Sequence, residues 1–169
     1  FIIPITLGPD AVKSLQKIKN NIPAWNEHEK NNLELWAGRE IDETGSKMWL
    51  STEPKGPRFI KGRMVGRFTT TDEVLYINKP NWSVPNSASF ERIAWRDISR
   101  PSQKRRVIAT IIPPGVVAGN SLGIVYYRNG DQVSLRALLG IINSLCFEFQ
   151  LRIHLATGHI SLSSLRKVN

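Results

Sequence analysis

The chain has 169 residues, 41% of them apolar, enough for one domain with a packed core, and its 23 Lys and Arg against 14 Asp and Glu give a formal charge of +9. No apolar stretch has transmembrane length, which excludes a membrane-spanning role, and the single cysteine excludes an intrachain disulfide and fits a reducing, cytoplasmic setting. Residues 1–50 carry six Lys/Arg against seven Asp/Glu, whereas residues 51–169 carry seventeen against seven, so a field that attracts nucleic acid, an acidic protein or an anionic membrane belongs to the later part.

Residues 1–8 read as extended; with no initiating Met and no signal-peptide pattern, the chain reads as a domain cut from a larger protein. Asp10 is placed to cap a helix over 11–19 with Val12, Leu15 and Ile18 on its apolar face, and a second helical stretch near 27–37 turns Leu33 and Trp36 inward. We read 1–50 as a helical and extended scaffold portion and 51–169 as a basic sheet-and-helix portion of one domain. From Lys47 the chain breaks into short strands punctuated by Gly, Pro and Asn: Met48–Ser51, Arg58–Lys61, Val65–Thr69, Val74–Asn78, Ile93–Ile98, Val107–Ile112 and Leu122–Tyr127. Pro113-Pro114-Gly115 and Gly119-Asn120-Ser121 bracket a loop. Ser134 is read as the cap of one helix over 135–154, about 30 Å long at 1.5 Å per residue, with Cys146 packed in its apolar pattern and Glu148 and Arg152 as an i,i+4 surface pair. His159–Leu162 reads as a last strand. The fold expected is an α/β (α+β) domain: a twisted, mostly antiparallel sheet, open or barrel-like, buttressed by the long C-terminal helix.

Two cation groups carry the functional reading. The first is Lys55, Arg58, Lys61, Arg63 and Arg67, interspersed with Gly56, Gly62 and Gly66, since glycine lets backbone approach a phosphate and arginine's fork grips phosphate or the guanine edge. The competing reading is a solvated sheet edge defended by charge. The second is Arg92, Trp95, Arg96, Arg100, Lys104, Arg105 and Arg106, countered only by Asp97. In a strand, Arg92, Ala94, Arg96 and Ile98 share one face and Ile93, Trp95 and Asp97 the other, so Trp95 belongs to the core and Arg96 is the better contact residue. Asp97 would orient Arg96 or Arg100 or cap the following turn. Asn120 is read either as an adenine contact or as a backbone-turn residue, and Lys79, Asn81 and Trp82 form a weaker group. His28, His154, His159 and Cys146 have no metal-ligand spacing. Pro9-Asp10 with Glu53-Pro54-Lys55 is a short nuclease-like pattern that Asp10's capping role undercuts. The glycine-rich nucleotide loops and the nucleophile turn are absent from the sequence.

The order Phe90–Ile98, Arg106–Pro114, Gly119–Leu122, then Leu138–Leu145, Phe147–Arg152 and His159–Ser161 resembles the target recognition region of adenine-specific DNA methyltransferases of type II restriction–modification systems, over roughly residues 54–169. The resemblance implies a prokaryotic parent protein that binds S-adenosylmethionine, with Mg where a nuclease is fused, and a division of labour in which this fragment, itself without catalytic residues, grips double-stranded DNA for a separate catalytic domain. The cofactor's glycine loop and the Asn-Pro-Pro-aromatic motif are missing here, and Asn78-Lys79-Pro80-Asn81 is no substitute. Charge and loop position then suggest Lys55, Lys61, Lys104 and Arg105 for phosphates and Arg58, Arg63, Arg96, Arg100 and Asn120 for base edges, with Arg67 in the same surface. An RNA-binding accessory domain, which would favour exposed rings at Trp49, Trp82 or Trp95, and a protein–protein assembly module, which would expose apolar surface on the 135–154 helix, are the alternatives.

Overall fold

A computed structural model describes residues 8–155 and 157–169. The extended reading of the first residues falls, but for Gly8, outside the described residues. α1 (Pro9–Asn21) starts from Gly8, whose side chain can cap nothing; Asp10 sits inside the first turn, where its charge still complements the helix N-terminus, rather than at the cap position. α2 spans Trp25–Asn31 and stops there. The helix expected to reach residue 37 does not form, because Leu35–Gly38 is strand β1, paired antiparallel with β8 (Leu122–Tyr127); Leu33 is left 82% exposed in the connection. α3 (Glu43–Ser46) is capped by Asp42, which accepts the N–H groups of Thr44 and Gly45.

Two open four-stranded sheets follow. The first runs β1-β8-β5-β6, with β5 at Arg92–Arg96 and β6 at Ala109–Ile112, all antiparallel. The second runs β2-β4-β3-β7, with β2 at Leu50–Ser51, β3 at Arg58–Ile60, β4 at Leu75–Ile77 and β7 at Val116–Ala118; β3 and β7 are parallel. Neither sheet closes into a barrel. β7 lies in the segment expected to be a loop: Val116, Val117 and Ala118 are all buried, so this run pairs internally instead of bulging into solvent. The strand expected at Val65–Thr69 is a tight turn closed by a Val65–Thr70 bridge, and His159 makes one bridge to Ile98 before α6 (Leu162–Leu165) begins.

Period-two alternation sorts the first sheet between two cores. Ile93, Trp95, Val125 and Tyr127 face the helices, packing with Leu135, Leu139, Ile142, Phe147 and Leu151. Ala94, Leu122, Ile124 and Tyr126 face the second sheet, packing with Ile60, Val65, Val116 and Ala118. Trp95 is 1% exposed and donates its indole N–H to the Ile160 carbonyl at 3.1 Å, as its strand face predicts.

The single C-terminal helix is two helices. α4 (Gln132–Ile142) is capped by Asp131, not Ser134, and α5 (Leu145–Ile153) by Ser144, whose oxygen accepts the Phe147 N–H at 3.1 Å. At 11 and 9 residues they span about 16 and 14 Å, so neither is the 30 Å strut. Cys146 is exposed rather than packed. The Glu148–Arg152 pair forms at 2.7 Å, but Glu148 is buried, so it is no ordinary surface pair.

Candidate nucleic-acid interface

Loop one, residues 61–71, leaves β3, makes a 3-10 turn at Gly62–Met64 and doubles back. Gly66 N–H donates to the Thr69 carbonyl at 2.8 Å and Thr71 N–H to Met64 at 2.9 Å, which puts Arg67 and Phe68 at the tip. Loop two, residues 97–108, links β5 to β6. Its turn is tied by Gln103 Oε1, which accepts from Ser99 Oγ and from Arg100 N–H, both at 2.9 Å.

Loop one is fastened to the base of the β5–β6 hairpin, whose connection is loop two. Arg96, at the end of β5, donates from Nε to the Val65 carbonyl of loop one at 2.6 Å, while its N–H pairs with Ile108 of loop two at 3.0 Å. Phe68 N–H donates to the Ala109 carbonyl on the outer edge of β6 at 2.9 Å. Asn143, between α4 and α5, covers the same edge like a one-residue strand: Oδ1 accepts Ala109 N–H at 3.3 Å and Nδ2 donates to Ala109 O at 3.0 Å.

The predicted contact residues divide by what their heads already hold. Lys61, Arg67, Arg100 and Lys104 lie on the two loops, half-buried or exposed, with no side-chain hydrogen bond or close ion pair among the described residues, though, after the Arg63 hydrogen bond, the charge of Lys61 also helps to lower the Glu73 pKa. Arg63, on loop one, is clasped by Glu73, with Nε 3.0 Å from Oε2; that hydrogen bond holds Glu73 below the ordinary carboxylate range and raises Arg63 further. Arg96 spends its guanidinium on loop-one carbonyls. Arg105 donates to the Asn143 and Ser144 carbonyls, the latter at 3.2 Å, and so fastens loop two to the end of α4. Asn120 is the turn residue of the two readings: it accepts Glu43 N–H at 3.3 Å and donates to Asp42 at 2.9 Å, and is turned into the α3 cap. Lys55 pairs with Glu53 at 2.7 Å on a separate turn, and Arg58 is exposed on β3, about 10 Å along the strand from Lys61.

Two members of the second cation group are core residues. Arg92 is fully buried, with Nε 3.0 Å from Glu40 Oε1 but not aimed at it, and Nη1 donates to the Phe90 carbonyl at 2.6 Å; burial pushes its pKa down and Glu40 opposes that. Glu40 also accepts Ser87 Oγ and Ala118 N–H, both at 2.6 Å. Arg106 is buried and donates to the Ser99 and Thr157 carbonyls at 3.2 and 2.7 Å; burial, then Arg152, lowers its pKa. Asp97 orients neither Arg96 nor Arg100: it binds Arg39 at 2.7 Å and His159 Nδ1 at 3.0 Å.

The residues that sequence reasoning missed are Asn143 and Glu148. Glu148 accepts the N–H groups of Arg106 and Val107 at 2.9 Å each and Arg152 Nε at 2.7 Å, while Arg152 also donates to the Gln103 and Lys104 carbonyls. A carboxylate buried this way sets the course of loop two. The sequence carried one hint, the polar Asn143-Ser144 pair inside an apolar helical pattern.

No group of three or more His, Cys, Asp or Glu able to hold a metal ion occurs among the described residues, and none of the helices there is long and apolar enough to cross a membrane. The chain matches no protein-family model, and a search of curated proteins finds no significant relative.

Proposed function

We propose that this domain binds double-stranded DNA through loops one and two and presents it to a catalytic domain elsewhere in the parent protein. One observation carries the reading: cation-rich loop one is fastened to the base of the hairpin that carries cation-rich loop two, and Lys61, Arg67, Arg100 and Lys104 make no side-chain hydrogen bond or ion pair among the described residues. Internal hydrogen bonds preorganise the loops, which suits a rigid, regularly spaced row of phosphates. Duplex rather than unpaired RNA is favoured because Trp95 is buried and Trp49 and Trp82 are half-buried against the second sheet, so the rings that an RNA-binding surface would expose are, Phe68 apart, not exposed. The resemblance to target recognition regions of adenine-specific methyltransferases supplies the finer assignment: sequence-specific recognition for a domain carrying S-adenosylmethionine.

Fluorescence anisotropy of the whole chain on a random-sequence duplex pool and on matched RNA, across a salt series, tests this. Binding to the duplex pool should be the tighter, and log affinity should fall by about 0.9 per log unit of salt for each phosphate neutralised. Equal or tighter RNA binding, or affinity indifferent to salt, would sink it.

A protein–protein assembly module is the second reading, favoured by Val133, Ile141, Leu145 and Ile153, apolar side chains exposed on α4 and α5. Light scattering across a concentration series separates the two: self-association abolished by Ile141→Lys and Leu145→Lys, with no DNA binding, is its signature.

A further inference from the structure

We infer that Phe68 is an aromatic wedge that stacks between bases of the duplex held by the two basic loops, an inference that rests on the DNA reading above. Of the aromatic residues described, Phe68 alone is exposed, at 58% of its surface. It also has a φ of +62°, in the left-handed region that bulky side chains avoid. Among the described residues the other non-glycine residue with positive φ is Asn81, of a type that tolerates it. Glycine would relieve the strain at position 68, and the phenyl ring recovers little burial in return. A single exposed hydrophobe is ordinary, but one held at the tip of a turn in an unfavourable backbone conformation is strain of the kind found at ligand contacts.

The surroundings fit a wedge. The tip is held stiffly by the Gly66–Thr69 hydrogen bond, by the Val65–Thr70 bridge and by the anchor from Phe68 N–H to Ala109, while Arg96 grips the loop from below. Arg67, exposed and with no side-chain hydrogen bond or ion pair among the described residues, precedes Phe68 in the chain, and Lys61 stands at the loop's base. Cations that hold phosphates flanking an apolar ring that enters a base step form the arrangement by which proteins unstack and kink duplex DNA.

The test compares the wild-type chain with Phe68→Gly, Phe68→Leu and Arg67→Ala on the random-sequence duplex pool and on matched RNA across a salt series, with thermal melting of each protein. The expected result is duplex binding weakened roughly 5- to 100-fold in Phe68→Gly, from the usual worth of one base–aromatic stack, and less in Phe68→Leu, which keeps an apolar side chain but loses the ring. The salt slope should be unchanged in both, and Phe68→Gly should melt no lower than wild type. Arg67→Ala should instead shrink the salt slope by about 0.9. Wild-type binding with equal affinity in Phe68→Gly and Phe68→Leu overturns the wedge while leaving the DNA reading standing. A wild-type chain that binds no duplex overturns both, and a Phe68-dependent preference for the RNA pool replaces the wedge by stacking on unpaired bases.

Discussion

At the scale of single residues, the guanidinium groups of this chain do three different jobs that the letter R does not distinguish. Arg92 and Glu40 form an ion pair whose side chains are both fully buried, and such a pair is expensive to break by halves. Glu40→Ala should therefore lower unfolding free energy by about 3–5 kcal/mol in urea denaturation, whereas replacing both partners by apolar residues of similar volume should cost much less. His154 gives a pH signature. Burial, then Lys167, lowers its pKa below 6.5. The unfolded chain thus takes up the proton first, so this contribution to stability is complete above about pH 6.5 and declines as pH falls below it. His154→Gln should flatten the fall in melting temperature between neutral and mildly acidic pH. Asn120 shows why single letters mislead: adenine contact and turn residue are the same amide, and only the position of Asp42 and the Glu43 backbone separates them.

At the scale of elements, the break at Asn143-Ser144 matters most. A strut running straight through would leave the Ala109 N–H on the outer edge of β6 without its partner; the break turns Asn143 onto Ala109 and lets Ser144 restart the helix. Ser144→Ala should cost about 1 kcal/mol as a lost cap, and Asn143→Ala about 2–3 kcal/mol, since it also strands the buried Ala109 N–H; chemical denaturation measures both. Strand β8 appears in sequence with its observed bounds because six consecutive apolar or small residues leave no other option, and β5 shows its two faces by alternation. β1 and β7 were not legible: each is only three or four residues long and takes its conformation from a partner distant in sequence, β8 for one and β3 for the other. Gly123 is forced by the same pairing, because Trp95 lies across it and a Cβ there would come within 2.0 Å of the indole. Gly123→Ala should destabilise by about 1–3 kcal/mol in the same assay.

At the scale of the molecule, two cores sandwich the first sheet; loop two connects two of its strands, while loop one leaves the second sheet and is fastened to the first at Arg96 and Ala109. Because the Arg100 and Lys104 side chains bind nothing among the described residues while Arg105 ties loop two to α4, their substitutions should separate function from stability. Arg100→Ala with Lys104→Ala should reduce the salt slope of duplex binding by about 1.8 and leave the melting temperature unchanged. Arg105→Ala should lower the melting temperature. By itself the sequence determined that the chain folds as a mixed α/β domain with mostly antiparallel strands, that its positive charge lies in the later two-thirds and that Trp95 is core, because composition and two-residue alternation are local properties. Which arginines reach solvent, where the C-terminal helix breaks and which loops become neighbours were decided only by tertiary structure: a charged side chain is buried or exposed according to whether a carboxylate or carbonyl distant in sequence arrives to meet it.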